Sequence, residues 1–442
     1  MFSSQELLRQ LLPCTDAPAW WLGLSGGMDS MVLLDALAEL RNTHSLPPIK
    51  ALHIHHGLHV DADLWTEHCE QQCRARGVEL VVERVQLALG ASIEAQARAA
   101  RYQAFAAHMG SADCLLLAHH QDDQLETLLF RMLRGTGLRG LAGMPQARPL
   151  AQGRLFRPLL GWSRAQLLVW AESRQLCWIE DPANRDERFA RTLLRYDLLP
   201  CLAKKWPAAP SNLLQLAEHT AEANLILDER AEQDLELARP GVTDPWLRDW
   251  QSLDATYVQA LSIPRQSNLL RYWCRLNQYA PPPRRQLQAF LGQLAASSTG
   301  QPEMRVDDYR LCRSSGRLWL LPDAIARTPV PQTLGTWGDT PLAAGNGRLL
   351  IRPAEQGVRW FAGDWHIAYR QGGEQIKLPG RPTQPLKDLL QQAGIPSWLR
   401  IRVPLLYCDE QLVSVAGRWN AQEASASGDE TAFQITWVPL TD

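Results

Sequence analysis

Short apolar runs alternate with amphipathic stretches through the first half of the chain. Residues 19–24, 49–56, 78–85, 113–119 and 155–160 read as buried strands. Between them, apolar positions recur at helical spacing over 31–40 and around 61–76, 93–109 and 122–134, and Ser163 is placed to cap a further helix. Regular strand–helix alternation predicts an α/β fold with a doubly wound parallel sheet, which binds ligands beyond the carboxyl ends of its strands. The alternation stops near residues 204–211. A long helix is expected from Asn212 to Ala238 with Ser211 as its cap, followed by helical patterns at 268–277 and 284–296. After a connector rich in Pro, Gly and Thr, short strands at 349–351, 413–415 and 433–437 surround a helix at 386–393. The pattern divides the chain into a sheet domain at 1–210, a mainly helical domain at 211–322, a linker at 323–346 and a small α+β domain at 347–442.

A length of 442 residues suits such a division, since single cores rarely grow past about 300 residues. No apolar stretch reaches membrane-spanning length, and the first residues lack the basic start and apolar core of a signal peptide. The nine cysteines are scattered and never spaced CxxC, as expected of reduced thiols in a cytoplasmic protein. Cys69 and Cys73, four apart in a helical stretch, read as a packed helix face rather than a zinc site. The net charge of −2 conceals segregation: residues 127–214 carry a local +8 and residues 209–258 a local −7. A basic block of that kind suits a phosphate-bearing partner, although two solvated helical surfaces would give the same count.

The turn Ser25-Gly26-Gly27-Met28-Asp29-Ser30 follows the first strand and opens a helix. Its glycines let the backbone approach a ligand, and the helix N–H groups have no partners of their own. It is not a P-loop, because Asp29 stands where that motif needs lysine. It is not a GxGxxG turn, because the glycine spacing is wrong. Gly23-x-Ser25-x-Gly27 does match the GxSxG nucleophile elbow, but hydrolases of that fold place the elbow after several strands. The turn is read as a phosphate cradle. A second polar cluster, His119-His120-Gln121-Asp122-Asp123-Gln124-Leu125-Glu126-Thr127, begins where the fourth strand ends. Asp123 and Glu126 are three apart on a helix and project from one face, suited to a cation, Mg²⁺ or general-base work, although acidic residues also favour first helical turns. Residues 131–144 then carry four glycines and the arginines Arg131, Arg134 and Arg139, either a cationic phosphate-binding loop or a plain linker.

Together these segments resemble the tRNA(Ile)-lysidine synthase family of PP-loop ATP-pyrophosphatases. Residues 25–30 look like its SGGxDS signature, 119–127 like HHxxDQxET, and 134–144 like its RG[ST]GxxGLxGM loop. The resemblance continues at 54–58, 93–102, 191–195, 386–387 and 394–400. Two departures are Thr192, where the family usually has asparagine, and residues 380–385, poorer in basic charge than usual. The resemblance implies replacement of the C2 oxygen of the wobble cytidine by the ε-amino group of lysine, through an adenylated cytidine, with release of AMP and pyrophosphate. It implies ATP over Ser25, Gly26, Gly27, Met28 and Ser30, with Asp29 near Mg²⁺ and His55 and His56 beside the adenosine. Asp123 and Glu126 would hold the lysine, and Arg98 and Arg195 would serve the chemistry. Arg101, Arg131, Arg134, Arg139, Arg191, Lys387 and Arg400 are candidates for tRNA or phosphate contact, with Arg191 and Arg195 facing RNA or pyrophosphate. The partners implied are tRNA(Ile) with a CAU anticodon and L-lysine, with no membrane; a homodimer is allowed. A thiolase-like PP-loop enzyme stays open, disfavoured by the missing CxxC pair, as do a GxSxG serine hydrolase and a non-catalytic nucleotide-binding RNA module.

Overall fold

The computed structural model describes residues 2–439 except 58, 86–92, 181–189, 240, 298–299, 335–337 and 427–429, and without the side chains of 93–95 and 190. Leu58, and the side chains of Ile93, Glu94 and Ala95 in the 93–102 segment, therefore lie outside the described residues. The chain forms two compact units, Met1–Leu225 and Ile226–Asp442.

In the first unit, strands β1 (Trp20–Gly23), β2 (Ile49–His55), β3 (Glu79–Arg84), β4 (Cys114–Leu116), β5 (Ala147–Leu150) and β6 (Gly153–Phe156) form one sheet in the order β3-β2-β1-β4-β6-β5. All pairings are parallel except that of the edge strand β5 with β6. The expected doubly wound sheet is present; β5, which pattern alone did not predict, is added as an antiparallel edge.

Alternation along the strands explains their continuous apolar character. Trp20, Leu22, Cys114 and Leu116 face one core, while Trp21, Leu52, Leu115 and Leu117 face another. The first core is covered by α1 (Ser4–Leu11), α2 (Met28–Thr43), α3 (Ala62–Ala75) and α7 (Arg164–Ser173); the second is covered by α4 (Ile93–His108). Helix α2 buries Met31, Val32, Leu33, Leu34, Leu37 and Leu40, each burial contributing about 1.5–3 kcal/mol. Ser163 caps α7 by accepting a hydrogen bond from the Gln166 N–H, as its position predicted. Cys69 and Cys73 are packed into the first core, where burial pushes their thiols up to about 12 and about 11.

The strand order reverses on either side of β1. Successive strands β1, β2 and β3 run one way, whereas β4 lies against the opposite edge of β1. A crevice therefore opens between the carboxyl ends of β1 and β4, where doubly wound sheets bind ligands. The 25–30 turn leaves β1 there, and the 119–127 segment leaves β4 into α5 (Gln121–Leu133). Helix α6 (Leu138–Leu141) follows.

The long helix spans Ala209–Ala238, and the division between the units falls within it. Ser211 is not its cap: the hydroxyl donates to the Ala208 carbonyl from inside the first turn. The start lies earlier because Pro210 is tolerated in a first turn, where its missing N–H has no partner to lose.

In the second unit, helices Ile263–Leu276 and Arg284–Ala296 pack on an antiparallel sheet whose neighbours are Ser252–Asp254, Arg317–Pro322, Tyr309–Ser314 and Glu303–Val306. The expectation of a mostly helical segment omitted this sheet. Its signal was present: Ser315 and Gly316, both at positive φ, join two apolar strands in a tight hairpin. The expected connector also contributes strands, Gln332–Thr333 and Gly338–Pro341, which pair with Trp365–Ala368 and Arg348–Ala354. The expected C-terminal strands are found within Arg348–Ala354, Gln411–Val415 and Ala432–Val438, and the helix at Leu386–Gln392. No helix among the described residues is long and apolar enough to cross a membrane.

Candidate active site

The nucleotide turn is held in shape by its own polar atoms. Ser25 Oγ lies 3.1 Å from Ser30 Oγ and accepts from the Gly27 N–H at 3.3 Å, while the Ser30 hydroxyl donates to the Gly27 carbonyl at 2.8 Å. Gly27 is the extended residue before α2 and caps it with no side chain, so nothing of its own covers the first N–H groups of the helix. Gly26 adopts φ +83° and its carbonyl accepts from the Ile179 N–H at 2.9 Å. A Cβ there would stand 2.7 Å from Ile179 Cδ1. Gly26→Ala is therefore expected to cost about 1–2 kcal/mol from the left-handed backbone alone, read as a lower Tm, and to weaken ATP binding. An unchanged Tm and ATP affinity would show that the turn tolerates another shape. Met28, expected at the nucleotide, has its side chain in the core and offers only its backbone. No histidine hydrogen-bonds Ser25 among the described residues, so this serine lacks the base that a hydrolase nucleophile requires.

A cavity of about 420 Å³ opens beside the turn, lined by Ser25, Asp29 and Ser30 on one side and by His55, His56, Arg101 and Phe105 among others. His56 Nε2 lies 3.4 Å from Arg101 Nη2, and burial first, then the Arg101 charge, pushes the imidazole down to about 4. His55 lies 3.3 Å from both Asp63 Oδ1 and Arg84 Nη1. His53 was not anticipated from the sequence. It is buried in the cavity wall with Nδ1 2.9 Å from the Leu24 carbonyl, and burial lowers its pKa. His59 and Trp65, stacked at 4.8 Å, also line the cavity and were not anticipated.

At the end of β4 stands His120, only 2% exposed. Its Nε2 is 3.5 Å from both Asp29 Oδ2 and Asp123 Oδ2, and its Nδ1 is 3.5 Å from Asp122 Oδ2. Burial opposes the imidazolium, but the carboxylates of Asp122, Asp29 and Asp123 beside it outweigh that cost, pushing the pKa up to about 10. His120 thus ties the aspartate of the nucleotide turn to the carboxylates after β4. Its adjacency to the strand end was legible in the sequence; its bridging role was not.

Asp123 and Glu126 do share one face of α5, as their spacing predicted. Both are met by Arg195, whose Nε donates to Glu126 Oε1 at 2.5 Å and whose Nη2 donates to Asp123 Oδ1 at 3.3 Å. Arg195 comes from Leu194–Leu198, a π-helical turn between Ala190–Leu193 and Leu199–Lys205. Arg195, expected to face RNA or pyrophosphate, has its guanidinium on these two carboxylates. Glu126 is 3% exposed, and a carboxylate so buried is stable only with a counter-charge. Burial still raises the Glu126 pKa, against the lowering effect of Arg195.

The chain matches the PP-loop domain over residues 2–202, the TilS substrate binding domain over 253–319 and the TilS substrate C-terminal domain over 365–437. It is 43% identical to the tRNA(Ile)-lysidine synthase of Pseudomonas aeruginosa over 99% of this chain and 97% of that protein. Identity to the enzyme of the same name from Pseudomonas putida is 45%, over 92% of this chain and 94% of that protein. With the Alkalilimnicola ehrlichii enzyme it is 39%, over 96% and 95%. The chain belongs to the tRNA(Ile)-lysidine synthase family.

The other arginines singled out from the family's motifs have distinct surroundings. Arg98 lies over the Tyr102 ring at 5.1 Å, and Arg134 over Phe130 at 4.6 Å. Arg131 donates to the carbonyls of Gly140 and Gly143 at 3.2 and 2.6 Å, and Gln124 exchanges two hydrogen bonds with Met144. The family's glycine loop is therefore tied back to α5 rather than left as a free linker. Arg139 and Arg191 are exposed. Lys387 is exposed in the first turn of Leu386–Gln392, while Arg400 donates from Nε to the Ile395 carbonyl at 2.7 Å. Thr192, the residue that departs from the family's asparagine, is buried at 8% exposure. The charge-poor stretch at 380–385 ends in a strand, Thr383–Pro385, paired with Gln375–Lys377.

Proposed function

We propose that this chain joins L-lysine to C2 of the wobble cytidine in the CAU anticodon of tRNA(Ile), giving lysidine, AMP and pyrophosphate and shifting decoding from AUG to AUA. The observation that carries this reading is the His120 bridge, which unites a nucleotide turn and a carboxylate pair at one sheet edge. ATP would lie in the 420 Å³ cavity with its phosphates on the 25–30 turn.

The cytidine O2 would attack the α-phosphorus, expelling pyrophosphate and turning a poor leaving group into AMP. The lysine amine would then attack C2 as the C2–O bond to AMP breaks. Asp123 and Glu126 hold the lysine ammonium and help remove its proton, since only the neutral amine is nucleophilic. The charge balance leaves room for it: among the described residues Asp29, Asp122, Asp123 and Glu126 are paired with two cationic groups, His120 and Arg195.

The site also fits Mg²⁺. Asp29 Oδ1 is buried without a hydrogen-bond partner, and no cluster of three or more ligating side chains occurs among the described residues. Such a donor set suits an ion shared between one carboxylate and ATP phosphates. When bound, Mg²⁺ would supply neutralisation of the departing pyrophosphate. In this reading residues 1–210 form the catalytic domain, and 211–322 and 347–442 bind the tRNA body on either side of the 323–346 linker.

The test is incubation with ATP, Mg²⁺, labelled lysine and unmodified tRNA bearing a CAU anticodon. Label is expected in the RNA with one AMP per lysine incorporated. Intact ATP under conditions where the tRNA binds would sink the proposal.

A further inference from the structure

Beyond the nucleotide and carboxylate sites, five arginines converge near the carboxyl ends of β4 and β6. Arg98 and Arg148 lie over the Tyr102 ring at 5.1 and 4.9 Å. Arg157 follows β6, is 3% exposed, and donates from Nη1 to the Pro145 carbonyl at 2.6 Å, while its Nε has no partner. Arg98 Nη2 lies 3.5 Å from the Tyr102 hydroxyl, and the charges of Arg148 and Arg157 act on the same phenol. Arg131 and Arg191 add their charges to the same neighbourhood. Among the described residues no carboxylate forms an ion pair with any of these five arginines.

A buried guanidinium among like charges is costly unless an anion completes the site. His119, on the nucleotide cavity wall, registers this surplus: burial first, then Arg157 and Arg98, push its imidazole down to about 3.

We propose that Arg148 and Arg157, with Arg98 and Tyr102, form a phosphate-binding site beside the reaction centre. Arginine forks bind phosphate oxygens in pairs, and the half-exposed Arg148 and exposed Arg98 leave the cluster open to solvent. The group bound is a backbone phosphate of the substrate RNA or the pyrophosphate released on activation. This rests on the tRNA-modifying reading above, and its test separates the two claims.

The variants are Arg148→Gln, at a half-buried position, and Arg157→Lys, which keeps the charge but not the fork. Thermal melting confirms that each folds. Binding of unmodified CAU-anticodon tRNA is measured against salt, and binding of inorganic pyrophosphate by calorimetry. If the source is RNA, Arg148→Gln weakens tRNA binding about tenfold and reduces the salt slope by about one, with pyrophosphate binding unchanged. If the source is pyrophosphate, its affinity falls about tenfold and the tRNA slope is kept. Folded variants that change neither measurement overturn the proposal. Loss of tRNA or pyrophosphate binding in the variants would uphold the site even if the wild-type protein incorporated no lysine, in which case the functional reading alone would fail.

Discussion

Asp29→Asn is expected to reduce ATP consumption by about a thousandfold or more, the scale of losing several kcal/mol of charge stabilisation at a departing pyrophosphate. The carboxylate occupies the first turn of α2, its Oδ1 buried and unpaired and its Oδ2 3.5 Å from His120 Nε2. Asparagine keeps the shape but loses the charge, so Tm should change little. Affinity for metal-free ATP should not fall, because the turn's N–H groups remain and a like charge has been removed. The Mg²⁺ dependence of ATP affinity should weaken instead. Near wild-type turnover with an ordinary Mg²⁺ dependence would remove Asp29 from the reaction.

Glu126→Gln is expected to separate the two half-reactions. Lysine incorporation should fall by about ten- to a hundredfold, the worth of a charged hydrogen bond, while tRNA-dependent pyrophosphate release persists. The separation follows from position. Asp29 belongs to the turn that meets phosphates, whereas Glu126 lies on α5 and accepts from Arg195. The variant also turns the charged Arg195–Glu126 bond into a neutral one, so a Tm measurement must accompany the kinetics. Equal loss in both half-reactions, with the fold intact, would show that Glu126 does not act on lysine.

How far these residues could be read in advance varied with the range of the interaction. The 25–30 turn and the 119–127 segment are local, and their place at strand ends followed from apolar periodicity. Ser163 as a cap is local too and was correctly placed. Arg195 was found as a residue but its pairing with Glu126 was not, since that depends on the packing of the 190–205 segment on α5. The sheet at 252–322 was missed for a simpler reason: its hairpin signal at Ser315 and Gly316 is short, and neighbouring helical periodicity outweighed it. Arg148 and Arg157 gave no local sign, because β5 and β6 are four-residue strands without strong alternation.

The sequence by itself determined the strand–helix alternation around the crevice, the phosphate-facing turn and the shared face of Asp123 and Glu126. All three depend on spacing along a few turns of backbone. Only the tertiary structure decided how charges are paired. His120 bridges Asp29 and Asp123 across the β1–β4 crevice, and Arg195 lies 69 positions from the Glu126 it neutralises. Such pairings are set by which buried groups must share a dry space, and separation along the chain carries no record of that.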